Sequence, residues 1–191
     1  MSPCFETLLI REHKPLHVGF HNARFWATSR VLFGVETRLD LASLITPPLP
    51  ACRCKITYAK EVLCVEYSPL VPREFRTFKL VETSHAYGYK YVQRGWIDAA
   101  KEAAGTDEVL FTCKGYLTDT SIANIALLIG DKWCTPKTPL LKGTARARWL
   151  QEGRICETAL KPQDLKNAQK FAIMNALLEW QEYPMQAIAF T

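Results

Sequence analysis

A chain of 191 residues with 48% hydrophobic content and only 9 glycines has enough material for one generous domain or two small ones, and it excludes a disordered polymer. No run approaches the roughly 18 apolar residues of a membrane span. The net charge of +5 comes from scattered basic residues rather than a block, so no nucleic-acid partner is expected, and attraction of a small anionic ligand is all it requires.

The opening MSPCFETLLIREHK has an acidic residue early and no small-residue cleavage site, which argues against a secretory signal. Seven cysteines, an odd number without an export signal, fit a reducing cytoplasm, where thiols inside apolar runs act as small buried hydrophobes. Phe5 to Arg11 is expected to be a strand. His17 to Gly34 is expected to be a helix, because Phe20, Ala23, Ala27, Val31 and Gly34 recur near helical spacing. After the TPPLP break, CRCKITY and EVLCVEY alternate and join at Ala59-Lys60, the pattern of an antiparallel hairpin. FRTFKLVE alternates likewise. Residues 1–82 thus form a small N-terminal α/β domain on an antiparallel sheet, and residues 83–88 form a linker.

Residues 89–191 are assigned to a larger C-terminal domain. Tyr91 to Ala104 reads as a helix ended by Gly105, and Asp107 to Cys113 as a strand. Lys114-Gly115 is a turn, Ile122 to Ile129 a strand, and Gly130-Asp131 a second turn before Lys132 to Thr135. A helix from Gly143 to Glu152 follows, closed by Gly153. A short strand at Arg154 to Thr158, a helix started by Pro162, and strands at Lys170 to Met174 and Met185 to Phe190 complete the chain.

Three pieces carry chemistry. Lys90 stands among Tyr87, Tyr89, Tyr91 and Trp96. A lone lysine is usually a solvated surface group, but aromatic shielding lowers an ammonium pKa and frees its lone pair. Asp119, in GYLTDTSIAN, is either a turn-forming Asp or an acid for a ring nitrogen. Gly143-Thr144 is either an ordinary capped helix entry or a phosphate seat, to which Arg24 of HNARF could add a charged fork. Cys52 and Cys54 lack a matching zinc pair, and the four histidines fall in no metal motif, so no metal is expected. P-loop, G-x-S-x-G and G-x-G-x-x-G motifs are absent.

Read in order, FETLLI, HNARF with Ser29 and LFG, GYKYVQR, TDEVLFTCKGYLTDTSIANIALL, LLKGTARARWL and KFAIMNALL resemble the class IV aminotransferases. This fold-type IV family includes branched-chain and D-amino-acid aminotransferases and 4-amino-4-deoxychorismate lyase. The resemblance implies an α/β (α+β) two-domain fold, with an N-terminal two-layer α/β sandwich and a C-terminal α/β barrel-like domain. It implies pyridoxal 5'-phosphate at the domain junction, a homodimer, and an amino-acid or amino-chorismate-like substrate. Lys90 falls on the Schiff-base lysine, Arg24 on the phosphate-binding arginine and Asp119 on the acid facing the pyridine nitrogen. Gly143, Thr144 and Ala145 fall on the phosphate-binding turn, which Arg146 ends. Ser121, Ile122, Ala123, Asn124 and Asn175 are carried over as cofactor contacts, and Arg94 and Tyr87 as substrate-side residues.

The K-x-x-x-R spacing of Lys90 and Arg94, with the MNALL run, is more similar to the lyase than to the branched-chain enzymes. The family usually has Glu at Asp119, and a hydroxyl residue where Ala145 stands. Its strand and glycine-rich turn ahead of FET are expected to be missing here, and the first domain is short. The expected activity is therefore a pyruvate-releasing lyase, with an amino-acid aminotransferase or a non-catalytic cofactor-binding relative as the alternatives.

Overall fold

The computed structural model describes residues 2–191. Two compact units are present: the chain up to Pro72 with Tyr89–Gln93, and Arg73–Gly88 with Arg94–Thr191.

The first unit is a four-stranded antiparallel sheet in the order β2-β1-β3-β4, made of β1 (Cys4–Arg11), β2 (Lys14–Pro15), β3 (Ala51–Tyr58) and β4 (Val62–Ser68). In β3 the residues alternate as the sequence does, so Cys52, Cys54, Ile56 and Tyr58 point inward and are buried. Helix α1 (Val18–Thr28) lays Phe25 against Tyr58, edge to face at 4.7 Å. Phe33 and Leu41 join the same core, which makes this unit two layers, helix on sheet. The expected single helix to Gly34 instead widens into a π-helical turn at Ser29–Phe33 before Gly34 closes it.

β1 is buried on both faces, and its N-terminal end has one more neighbour. Phe5 N–H donates to the Lys90 carbonyl (2.9 Å), Val92 N–H donates to Pro3, and Cys4 bridges Tyr91. The stretch around Lys90 is therefore extended. The expected helix start at Tyr91 is corrected to Gly95, because these backbone bonds satisfy residues 90–92 outside a helix.

The second unit holds a nine-stranded mixed sheet. Its strands are β5 (Thr77–Glu82), β6 (Glu108–Cys113), β7 (Tyr116–Thr120), β8 (Asn124–Ile129), β9 (Lys132–Pro136), β10 (Cys156–Thr158), β11 (Lys170–Met174), β12 (Gln181–Pro184) and β13 (Ala189–Phe190). Helices α2 (Gly95–Ala104) and α3 (Thr144–Gln151) belong to it. Phe78, Phe171, Phe190 and Tyr183 form its aromatic core, with Phe78 and Phe171 rings 5.1 Å apart.

Five further expectations change here. The FRTFKLVE strand does not extend the first antiparallel sheet; β5 runs parallel to β6 and β13. The division between units falls at Pro72/Arg73, not at residue 82, and Tyr89–Gln93 returns to the first unit. Asp119 lies inside a strand, β7, that hairpins with β6 at Lys114-Gly115; both turn residues have positive φ, as a tight two-residue hairpin turn requires. Residues 162–166 make only a 3-10 turn, and the expected strand from Met185 to Phe190 is a 3-10 turn at Met185–Ala187 followed by the two-residue β13, with β12 ahead of it.

Candidate functional site

In the first unit, β1 organises both of the basic residues picked from the sequence. Lys90 is half-buried, and its Nζ lies 4.8 Å from the centre of the Phe5 ring. Tyr89 packs against Tyr91 in this unit, whereas Tyr87 is buried against Trp96 in the other. The neighbouring β1 residue, Glu6, is fully buried and holds Arg24 in a fork: Arg24 Nε donates to Oε1 at 2.8 Å and Nη2 to Oε2 at 2.6 Å. His21 Nδ1 lies 2.6 Å from the same Oε2. Burial pushes the Glu6 carboxyl up, but the Arg24 charge and the hydrogen bonds from His21 and Arg24 outweigh it and bring the group to about 2. His21 is itself lowered by burial despite Glu6, so its neutral ring donates Nδ1–H to the carboxylate.

The second unit gathers the acid and the helix start. Asp119 is buried in β7; Asn124 Nδ2 donates to its Oδ1 and Leu141 N–H to its Oδ2, both at 2.8 Å. Asn124 also donates to the Leu141 carbonyl and accepts from Gly143 N–H at 3.1 Å. One side chain thus ties the acid to the entry of α3. The helix cap is Gly143 itself, in extended conformation, and Thr144 is the first helical residue rather than the cap. A helix start of this kind aims N–H groups and the positive end of the dipole at whatever sits before it. Burial raises the Asp119 carboxyl to about 7, despite hydrogen bonds from Leu141 and Asn124 and the Arg146 charge.

Glycine is required at residue 143 by contact. A Cβ built there would stand 2.1 Å from Asn124 Oδ1. Gly143→Ala should displace the Asn124 amide, costing about 1 to 3 kcal/mol in folding stability and loosening the Asp119 tie. Urea titration of the variant measures the first effect, and its affinity for cofactor the second.

The remaining expected residues fall into three places. Ser121, Ile122 and Ala123 form the β7–β8 turn, where Thr120 Oγ1 accepts from the N–H groups of Ile122 and Ala123. Asn175 donates to the Ile122 carbonyl at 3.2 Å and accepts from Leu177 and Leu178 N–H, so it locks that turn to its own. Ala145 is buried in α3, beside Arg146, which bonds the Pro136 carbonyl and Glu157 and therefore holds α3 to β9 and β10. Arg94 precedes α2 and forks onto Asp98.

Sequence reasoning missed Glu6, His21 and Glu108. Buried Glu108 accepts from Ser121 Oγ at 2.8 Å and from Ser121 N–H, fixing the turn from beneath. The available signal was a carboxylate in the apolar run FETLLI or DEVLF, since an acid there is buried only with partners. Among the described residues no group of three or more His, Cys, Asp or Glu side chains is placed to hold a metal ion, and no helix is long and apolar enough to cross a membrane.

Comparison with known proteins adds the family. A 185-residue match at 35% identity, covering 93% of this chain and 98% of the other, is to an uncharacterised protein of Haemophilus influenzae. A solved structure from Haemophilus somnus, provisionally assigned as a 4-amino-4-deoxychorismate lyase, superposes with a TM-score of 0.80 at 28% identity, covering 93% of this chain and 97% of that one. A hypothetical aminotransferase of Mycobacterium tuberculosis, solved with α-ketoglutarate and PMP bound, has a TM-score of 0.83 at 17% identity over 100% of this chain and 84% of that one, a likeness of fold. The sequence model of amino-transferase class IV matches residues 83–183, a span that holds Lys90, Asp119, Asn124 and Gly143. The fold is fold-type IV, and the chain belongs to the class IV aminotransferase family of enzymes.

Proposed function

We propose that the protein is a pyridoxal phosphate-dependent enzyme of the 4-amino-4-deoxychorismate lyase type, releasing pyruvate from an amino-chorismate-like substrate. The observation that carries the cofactor reading is the buried Asp119, joined through Asn124 to a glycine-led helix start. That donor set fits the group: a carboxyl poised near 7 for a ring nitrogen, and helix N–H groups for a phosphate. When bound, pyridoxal phosphate supplies an electron-accepting ring that stabilises negative charge on a substrate carbon.

The chain's own residues divide the work. Lys90 Nζ would hold the aldehyde end of the cofactor and serve as the acid and base for the substrate's α-proton. Asp119 would, once ionised, keep the cofactor's ring nitrogen protonated; Asn124 and Leu141 orient the carboxylate. The α3 entry at Gly143, Thr144 and Ala145 would seat a phosphate through its N–H groups, and Arg24, by the family resemblance, would bind one through its guanidinium. Ser121, Ile122, Ala123 and Asn175 shape the turn beside the acid, and Arg94 and Tyr87 serve the substrate. The lyase preference rests on the Lys90–Arg94 spacing and on the similarity to the Haemophilus somnus protein. Amino-acid transamination is the second reading, because it uses the same lysine and acid.

The cysteines are free thiols, which supports a reducing cytoplasm, and a homodimer is the assembly we infer from the family. The deciding experiment supplies purified, cofactor-loaded protein with 4-amino-4-deoxychorismate and assays 4-aminobenzoate and pyruvate in equal amounts. A parallel assay offers amino acids and a 2-oxo acid. Amino transfer without pyruvate release would make it a transaminase.

A further inference from the structure

Glu6 is a carboxylate without solvent exposure, in a strand that is otherwise apolar except for Thr7 and the terminal Arg11. A charge in that position is tolerated only when paired and hydrogen-bonded. Its pairing is unusually complete: both Arg24 bonds lie in one fork, and His21 holds the oxygen that Arg24 Nη2 shares. Pairing also cancels the Arg24 charge. What the pair offers a phosphate is therefore direction rather than net attraction, since a guanidinium already fixed loses less side-chain freedom on binding. The same strand fixes Lys90, whose carbonyl accepts from Phe5, the residue before Glu6. One strand thus sets the backbone register of the amine and the aim of the arginine.

We propose that Glu6, steadied by His21, is a positioning residue that aims the Arg24 guanidinium at the phosphate of the cofactor. The inference rests on the reading of Arg24 as a phosphate anchor. The rival role is structural, with Glu6 merely fastening α1 to β1. Binding of pyridoxal phosphate and of pyridoxal, which lacks the phosphate, separates the two. In Glu6→Gln the dissociation constant for pyridoxal phosphate should rise about tenfold while that for pyridoxal stays at the wild-type value. Arg24→Ala should show the same selective loss, and the double variant should be no worse than Arg24→Ala alone, because Glu6 acts through Arg24.

Melting curves report whether Glu6→Gln folds. If it does not, Glu6→Asp, which keeps the carboxylate one methylene shorter, should show a smaller loss with the same selectivity. A wild-type ratio of the two constants in the folded Glu6 variant, beside a lost ratio in Arg24→Ala, overturns the inference and leaves the anchor standing. An unchanged ratio in Arg24→Ala removes the anchor, and the inference with it.

Discussion

Lys90→Ala is expected to lower turnover by a factor on the order of 10² to 10⁴ and to remove the visible absorbance of cofactor-loaded protein, while leaving the far-ultraviolet spectrum unchanged. The fold should survive because the backbone makes the structural contacts here: the Lys90 carbonyl accepts from Phe5, and its neighbours Tyr91 and Val92 pair with Cys4 and Pro3. An alanine keeps each of those. What it loses is the Nζ held over the Phe5 ring. Lys90→Arg is the sharper control. It keeps the charge above the ring, but a guanidinium is never deprotonated at neutral pH, so it supplies no nucleophilic lone pair. Both variants should therefore show that same loss of turnover and of colour. A Lys90→Arg protein with wild-type turnover would remove the lysine from the chemistry.

The parts of this arrangement legible in the sequence were those with a local signature. The β3–β4 hairpin follows from alternation across Ala59-Lys60, and its burial pattern repeats that alternation. Alternation also marks residues 77–82 as a strand but says nothing about its partner, so the strand was placed in the wrong sheet; its parallel pairing to β6 is set by distant residues. β7 was missed because YLTDT lacks an apolar alternation. Its Thr118, Asp119 and Thr120 side chains are buried, and hydrogen bonds rather than hydrophobicity satisfy them. The same limit hid Glu6. Spacing finds Lys90, Asp119 and Gly143 singly, but which carboxylate grips which arginine is decided by how α1 packs on β1.

Asp119 supplies the other large effect, in the dependence of stability on pH. Its carboxyl is raised to about 7 by burial, which the bonds from Leu141 and Asn124 only partly offset, whereas an unfolded Asp titrates at about 3.9. Between those values the folded chain binds more protons than the unfolded one. The contribution of this group is therefore full below about pH 4 and is lost as pH rises through about 7, a change on the order of 2 to 4 kcal/mol. His21 works in the opposite direction: burial lowers its pKa, so its contribution is lost as pH falls. Wild type alone would thus show the sum, and Asp119→Asn isolates the term. Asparagine can still accept from Leu141 N–H, at a pH-independent cost of about 1 kcal/mol for the imperfect contact with Asn124. Urea titrations of cofactor-free protein at pH 5 and pH 8 should show wild type losing more stability on going to pH 8 than Asp119→Asn does. Saturating pyridoxal phosphate should narrow that difference, because a ring cation facing Asp119 favours its ionised form. The same substitution should cut turnover roughly 10² to 10³-fold, since a neutral amide no longer holds the ring nitrogen protonated. Equal pH slopes in the two proteins, with or without cofactor, would mean that Asp119 is an ordinary ionised carboxylate bracing the α3 entry.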